Sequence, residues 1–181
     1  MEFNELSRSV VSDVARCVEH VDGAQVQTLV DAIAARRAVF LVGTGRSGAV
    51  LAAMAIRLGH LGIAAHAVGA ADCPAIKPGD LVLVGSGSGK TPVPLERARE
   101  TRAAGASLAT ITADPASPLA AIADVLVHIP APVAPRDPSP HTLRSLFEEC
   151  LLILCDCVCK MLQDKLGISA QEMQSRHSDR E

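Results

Sequence analysis

This sequence of 181 residues predicts an α/β protein, a three-layer α/β/α sandwich around a five-stranded parallel sheet. Three observations support that fold class. Short apolar runs alternate with longer helical segments, the connections between them are short, and two of the apolar runs lead directly into glycine-rich loops. Strands that are apolar throughout are typical of a parallel sheet covered on both faces.

The elements can be assigned in chain order from periodicity and turn signals. Two helices are predicted first, over 2–19 and 25–37, because apolar residues recur there at helical spacing. The alternating core then comprises strand 38–42, helix 47–61, strand 63–68, strand 80–84, helix 92–104, strand 107–112, short helix 118–123 and strand 125–129. A long helix is predicted over 146–165, and 171–181 is interpreted as a tail.

The whole chain, 1–181, is expected to form one domain, as is usual for this length. Its parts are N-terminal helices over 1–37, a sheet core over 38–129, and a C-terminal helix and tail over 140–181. Five of the eleven residues between Pro130 and Pro140 are prolines, so that stretch is interpreted as a surface loop before the last helix.

Composition argues against several classes of partner. The formal net charge is −3, Trp and Tyr are absent, and no Lys/Arg cluster stands out, so no nucleic-acid partner is predicted. Every apolar stretch is shorter than the roughly 18 residues of a membrane span, and no basic-then-apolar leader follows Met1. We therefore expect a cytoplasmic protein without a membrane partner.

Six cysteines are present, and four of them fall on the predicted long helix at positions 150, 155, 157 and 159. Helical geometry places these four on different sides, which is a poor tetrahedral metal cage. The main prediction is buried free thiols, and a metal or redox role is the alternative. Cys17 and Cys73 are interpreted as isolated.

The two glycine-rich loops, 43–48 (GTGRSG) and 85–91 (GSGSGKT), follow the first and third strands. In a flavodoxin-like sheet of order 2-1-3-4-5 these strands are neighbours, and ligands bind beyond their carboxyl ends. Glycine allows a close backbone approach, and helix N-termini attract anions. The hydroxyl-rich loops thus predict a phosphorylated ligand, although the same side chains are also common helix caps. The predicted ligand-binding groups are Ser47, Ser86, Gly87, Ser88, Gly89 and Thr91, with Arg46 either on the substrate or in a surface salt bridge.

Two other types of glycine loop fit less well. Gly43, Gly45 and Gly48 match a dinucleotide fingerprint, but the second strand, near Val68, lacks the acidic residue that binds the ribose. A nucleotide P-loop requires its first glycine at position 84, where Val84 stands. No nucleotide is therefore predicted, and no metal or other cofactor either, because the histidines at 20, 66, 128 and 141 do not have ligand spacing.

The stretch 86–91 (SGSGKT) resembles the phosphate-binding loop of the sugar isomerase (SIS) domain family, and the resemblance extends over nearly the whole chain. Within that family, five stretches resemble the 6-phospho-3-hexuloisomerases in particular. They are 43–48 (GTGRSG), 57–62 (RLGHLG), 73–76 (CPAI), 145–148 (SLFE) and 175–177 (SRH). The resemblance implies interconversion of 3-hexulose 6-phosphate and fructose 6-phosphate, a reaction of the ribulose monophosphate pathway of formaldehyde fixation. It also implies a homotetramer that uses neither metal nor nucleotide.

Such a reaction moves a proton between neighbouring carbons through an enediol and needs a base. The resemblance favours Glu148 as that base and His177 as a group that moves protons near neutral pH. The alternatives are an exposed helix carboxylate, like the adjacent Glu149, and an exposed tail histidine. His60 and Lys90 are further candidates. His60 lies far from the strand carboxyl ends, so it can act only if it reaches a site through another subunit, and otherwise it is a packing residue. Lys90 either binds phosphate or is solvated.

Two rival functions remain open from the sequence. One is a non-catalytic sugar-phosphate sensor on the same fold, and the other is an isomerase of the same type that acts on sedoheptulose or arabinose phosphates. Loss of turnover with intact ligand binding would favour the sensor, and a panel of substrates would separate the isomerases.

Overall fold

Five parallel strands form the centre of the computed structural model, which describes residues 2–132 and 140–177. The strands are β1 (Val39–Val42), β2 (Ala65–Ala67), β3 (Leu81–Gly85), β4 (Ser107–Thr112) and β5 (Val125–His128). Their order is β2-β1-β3-β4-β5, with all four pairings parallel. The predicted 2-1-3-4-5 sheet is confirmed, and β1 lies beside β3.

The helices cover both faces of this sheet. They are α1 (Phe3–Val18), α2 (Gly23–Ala34), α3 (Gly45–His60), α4 (Pro92–Ala103), α5 (Pro118–Ala121), α6 (Leu146–Leu166) and α7 (Ala170–Ser175), and a 3₁₀ turn over Thr142–Arg144 precedes α6. Helices α2, α3 and α6 lie on one face of the sheet, with α1 packed on α6, and α4 and α5 lie on the other face. The three-layer sandwich is therefore confirmed.

The side chains of β1 show how one strand supports both layers. Val39 and Leu41 belong to the apolar core on one face, and Phe40 and Val42 to the core on the other. Successive side chains of a strand point to opposite faces, so a strand that is covered on both sides must be apolar throughout. This is the physical reason why the unbroken apolar runs predicted the central strands correctly.

Three elements differ most from the sequence expectation, and one of them is α2, which spans Gly23–Ala34 and not 25–37. Strand β2 spans Ala65–Ala67, less than the predicted 63–68. Helix α7 was not predicted, since its residues were assigned to a tail. Ser169 and Glu172 form a reciprocal capping box at its start, a signal that is visible in the sequence as Ser-x-x-Glu. Most of the proline-rich loop and the last four residues lie outside the described residues.

The thiols are only partly as predicted. Cys150, Cys155 and Cys159 are buried on α6, whereas Cys157 is exposed, and all six cysteines are free. Burial, with smaller effects from nearby charges, raises the pKa of the Cys159 thiol to about 11. Cys17, interpreted as isolated, has a free thiol, but packing of α1 on α6 brings it into contact with Cys150. That contact, followed by burial, raises the pKa of Cys150.

A helix that crosses a membrane must be both long and predominantly apolar. Within 2–132 and 140–177, no helix combines the length and the apolar composition that a bilayer crossing requires.

Candidate active site

A cavity of about 200 Å³ opens beyond the carboxyl ends of β1 and β3, where both glycine-rich loops emerge. Typical ligand pockets have volumes of about 300–1,000 Å³, so this cavity suits a small ligand. Many of the predicted site residues line it, namely Arg46, Ser47, Ser86, Gly87, Ser88, Thr91 and Glu148. Residues that were not predicted also line it, among them Thr44, Leu143 and Phe147.

The first loop makes a turn that only glycine permits. A Cβ added at Gly48 would lie 2.7 Å from the carbonyl oxygen of Gly43, so the two backbones touch directly. The turn leads into α3, whose N-cap residue, Thr44, makes no side-chain capping hydrogen bond. The N-terminus of α3 lies at the cavity without a side-chain cap, and an uncapped helix N-terminus is a setting that favours anions.

The second loop carries a network of hydroxyl groups. Ser86 Oγ lies 3.0 Å from Thr91 Oγ1, and Ser88 Oγ lies 3.5 Å from the same atom. Ser86 Oγ also accepts a hydrogen bond of 3.2 Å from the backbone N–H of Gly89. Gly89 itself has φ +60°, and a Cβ there would collide with Ser117. Gly89 thus shapes the loop, and the hydroxyls line the cavity.

Helix α4, which follows this loop, offers fewer backbone donors than the sequence expectation assumed. Pro92 and Pro94 stand in its first turn and have no N–H groups. The polar groups on this side of the cavity are therefore mainly loop N–H groups and the three hydroxyls.

Glu148 enters the cavity from the first turn of α6. Its Oε1 accepts a hydrogen bond of 3.1 Å from Ser47 Oγ, and its Oε2 lies 3.1 Å from Arg46 Nη2. The adjacent Glu149 takes a different direction, with Oε2 2.8 Å from His141 Nδ1. The structure therefore separates the two carboxylates, which the sequence alone could not do: Glu148 lies at the cavity and Glu149 lies outside its lining.

Lys90 lies outside the cavity lining. Its Nζ is 3.0 Å from Asp114 Oδ2, and its side chain is 61% exposed. The hydrogen bond from Lys90 lowers the pKa of the Asp114 carboxyl. The ammonium group therefore already has a carboxylate partner on the protein surface.

The two histidines of interest meet each other at the opposite end of α3. The ring centroids of His60 and His177 are 4.9 Å apart, and Arg176 Nη1 donates a hydrogen bond of 3.1 Å to the carbonyl oxygen of His60. His60 is the last residue of α3, and fifteen residues of helix span about 22 Å from the cavity end. Within one chain, these histidines are therefore not next to Glu148.

Other features of the site were missed by sequence reasoning. The carbonyl oxygen of Leu143, just before α6, accepts a hydrogen bond of 2.9 Å from Arg46 Nη2. No sequence signal pointed to this backbone group, whereas Phe147 could have been found within the 145–148 stretch. Over 2–132 and 140–177, no group of three or more histidine, cysteine or acidic side chains is arranged to hold a metal ion.

The fold and this cavity together indicate a class of protein, and comparison with known proteins agrees. The chain belongs to the SIS domain family, whose model matches residues 32–139. The resemblance inferred from the sequence is thereby confirmed.

Full-length relatives carry a more specific name. A 3-hexulose-6-phosphate isomerase of Mycobacterium gastri is 40% identical over 176 residues, which covers 95% of this chain and 88% of that protein. A 3-hexulose-6-phosphate isomerase of Bacillus subtilis (strain 168) is 30% identical over 187 residues, and the match covers 100% of this chain and 100% of that protein. A Methanococcus jannaschii crystal structure, described as inferring the same molecular function, has a TM-score of 0.85 at 24% identity over 98% of this chain and 99% of that one.

Proposed function

We propose that this protein is a phosphosugar isomerase that interconverts 3-hexulose 6-phosphate and fructose 6-phosphate. The observation that carries the proposal is the position of Glu148, whose carboxylate lies in one cavity with the hydroxyls of Ser86, Ser88 and Thr91. A base and a phosphate-binding loop are the two parts that this reaction needs. The names of the full-length relatives support the choice of substrate.

The chemistry assigned to Glu148 is proton transfer between neighbouring carbons. With the carbonyl at C3, the carboxylate takes the proton from C2, and an enediol forms between C2 and C3. The same proton is then returned to C3, while the hydroxyl proton moves from O2 to O3, which leaves the carbonyl at C2. A well-placed general base typically contributes about 10²–10⁴ in rate.

Substrate orientation is assigned to the two loops. The phosphate would lie against the hydroxyls of the second loop, and the N-terminus of α3 would stabilise its negative charge. Arg46 and Ser47 hold Glu148 from the first loop, so one end of the substrate is anchored while the other meets the base. In this proposal Glu148 moves the proton between the carbons, the loop hydroxyls hold the phosphate, and the proton that passes from O2 to O3 is assigned to His177, so the reaction needs no metal or nucleotide.

We also propose a homotetramer in which His177 acts on a neighbouring subunit. Large apolar side chains are exposed on α1, at Phe3 and Val11, and on α3 and α6, at Ile56, Leu152 and Ile153. Exposed large apolar side chains on several helices support contact with further copies of the chain, and a tetramer with twofold symmetry uses more than one such surface. A second copy would bring the His60–His177 pair to a cavity that its own chain cannot reach.

The test is turnover by purified protein with a chelator present and no cofactor added. The wild type, Glu148→Gln and the matched control Glu96→Gln, which changes an exposed carboxylate on α4, are incubated with 3-hexulose 6-phosphate. Fructose 6-phosphate is then followed over time. We expect turnover by the wild type and the control, and a loss of about 10²–10⁴ in kcat for Glu148→Gln.

The other outcomes identify the rival functions. Tight binding of fructose 6-phosphate without turnover of any sugar phosphate would indicate a sensor. Turnover of arabinose 5-phosphate or sedoheptulose 7-phosphate, but not of 3-hexulose 6-phosphate, would indicate a different isomerase on the same fold. Equal activity of Glu148→Gln and the wild type would remove Glu148 from the role of base.

A further inference from the structure

His141 lies in a contact that joins three parts of the fold. Its side chain is only 3% exposed, and it stands directly before the 3₁₀ turn that leads into α6. Nδ1 is 2.8 Å from Glu149 Oε2 on α6, and Nε2 is 3.4 Å from Asp13 Oδ2 on α1. The buried ring therefore lies between one carboxylate of α1 and one of α6, each within ion-pair distance of a ring nitrogen.

The turn that His141 fixes has an unusual backbone. Leu143 has φ +46° and ψ +40°, and among the residues the structure describes it is the only one other than glycine with positive φ. Its side chain is largely exposed, so burial of that side chain does not hold this conformation in place. Residues in such a conformation persist where the surroundings hold them, and they cluster at functional sites.

The same turn reaches the candidate base through Arg46. The carbonyl oxygen of Leu143 is 2.9 Å from Arg46 Nη2, and that nitrogen is 3.1 Å from Glu148 Oε2. One guanidinium nitrogen therefore joins the strained turn to the catalytic carboxylate. Any shift of the turn would move Arg46, and Glu148 with it.

We propose that His141 is a positioning residue for the isomerisation: by holding the 3₁₀ turn between α1 and α6, it fixes Leu143 and Arg46 so that Glu148 points at the substrate. This inference rests on the proposed function for its kinetic part. His141 acts through the turn and does not itself line the cavity. Its contact with Glu149 is the shorter one and lies next to Glu148, so that contact matters most.

Three substitutions separate the contact of the ring with Glu149 from its contact with Asp13. In His141→Asn, the side-chain amide stands near the position of Nδ1 and keeps the contact with Glu149. In His141→Gln, the amide stands near Nε2 and keeps the contact with Asp13, and His141→Ala keeps neither.

Misplacement of a catalytic group by about 1 Å costs on the order of 100-fold in rate. We expect kcat to fall about 10- to 100-fold in His141→Ala and His141→Gln with little change in KM, and His141→Asn to retain most of the activity.

A control and an independent readout keep the test decisive. His20→Asn changes an exposed histidine in the turn after α1, whose ring bonds only to the carbonyl oxygen of Arg16 among the contacts the structure describes, and its kcat should equal that of the wild type. Wild-type kcat in His141→Ala, or a rise in KM alone, would overturn the proposal. Equal losses of kcat in the three His141 variants, in proportion to their losses of thermal stability, would overturn it as well.

Failure of the proposed function can be told apart from failure of this inference. If the wild type turns over no sugar phosphate, the coupling between Arg46 and Glu148 is measured by a double-mutant cycle on unfolding, using Arg46→Gln and Glu148→Gln. Positioning by His141 predicts that this coupling is largely lost in the His141→Ala background. Coupling of the same size in both backgrounds would overturn the inference without reference to activity.

Discussion

Arg46 and Glu148 stand 102 positions apart in sequence and meet at the mouth of the cavity, with Nη2 3.1 Å and Nε 3.3 Å from the same carboxylate oxygen. Arg46 lies in the first turn of α3 and Glu148 in the first turn of α6. Packing of these two helices on one face of the sheet is what brings the groups together. The pair connects the loop that follows β1 with the proposed base.

The first prediction concerns the shape of the guanidinium. A lysine at position 46 would keep the charge, but it has no planar fork and cannot hold both Glu148 and the carbonyl oxygen of Leu143 in the same way. We expect Arg46→Lys to lower kcat by roughly tenfold and to leave the fold intact. Steady-state kinetics and circular dichroism check this, and a kcat equal to that of the wild type would show that charge alone suffices.

The second prediction concerns the backbone of the phosphate loop. Gly89 has positive φ, and a Cβ there would collide with Ser117, so Gly89→Ala should destabilise the protein by about 1–3 kcal/mol. Gly59 is the matched control, because it lies in α3 with open space around it. Gly59→Ala should stabilise by about 0.4–1 kcal/mol. Urea denaturation of both variants measures the difference, and similar values would contradict the assigned strain.

The third prediction concerns pH. Since Lys90 lowers the pKa of Asp114, their contact contributes stability above the ordinary carboxyl pKa of about 3.9 and loses it as the pH falls through the lowered value. Lys90→Met should therefore have a slightly lower Tm than the wild type at pH 7, and the two should converge in acid. The KM for the sugar phosphate should not change, and a large rise in KM would instead place Lys90 on the phosphate.

The fourth prediction concerns the two histidines at the far end of α3. If a neighbouring subunit supplies His177, then Glu148→Gln and His177→Asn should each lack activity alone but complement each other when mixed. For random pairing across a twofold interface, about a quarter of the sites would combine an intact Glu148 with an intact His177. Mixing after mild denaturation and refolding, followed by the activity assay, tests this.

The outcome of that mixing has a clear contrary case. No recovery, with both variants refolded and each able to form mixed oligomers, would mean that His177 does not act across the interface. A His177→Asn variant with full activity on its own would mean that the ring contact with His60 serves packing only.

The sequence by itself determined the layers and the location of the site. Periodicity and turn residues are local properties, and they set β1, β3 and the glycine-rich loops because each depends on neighbours a few residues away. The hydroxyls of Ser86 and Thr91 could be placed at the candidate site for the same reason, because their loop directly follows a buried strand. The missed α7 was equally local, since its capping box stands in the sequence.

Tertiary structure alone decided how the side chains meet. The orientation of Glu148 toward Arg46, and of Glu149 toward His141, depends on how α6 packs against α3 and α1, which no local pattern encodes. The same packing puts Cys17 against Cys150 and leaves His177 at the wrong end of α3 for its own cavity. Contacts between residues a hundred positions apart are fixed by the packing of whole helices, and for that reason only the folded chain reveals them.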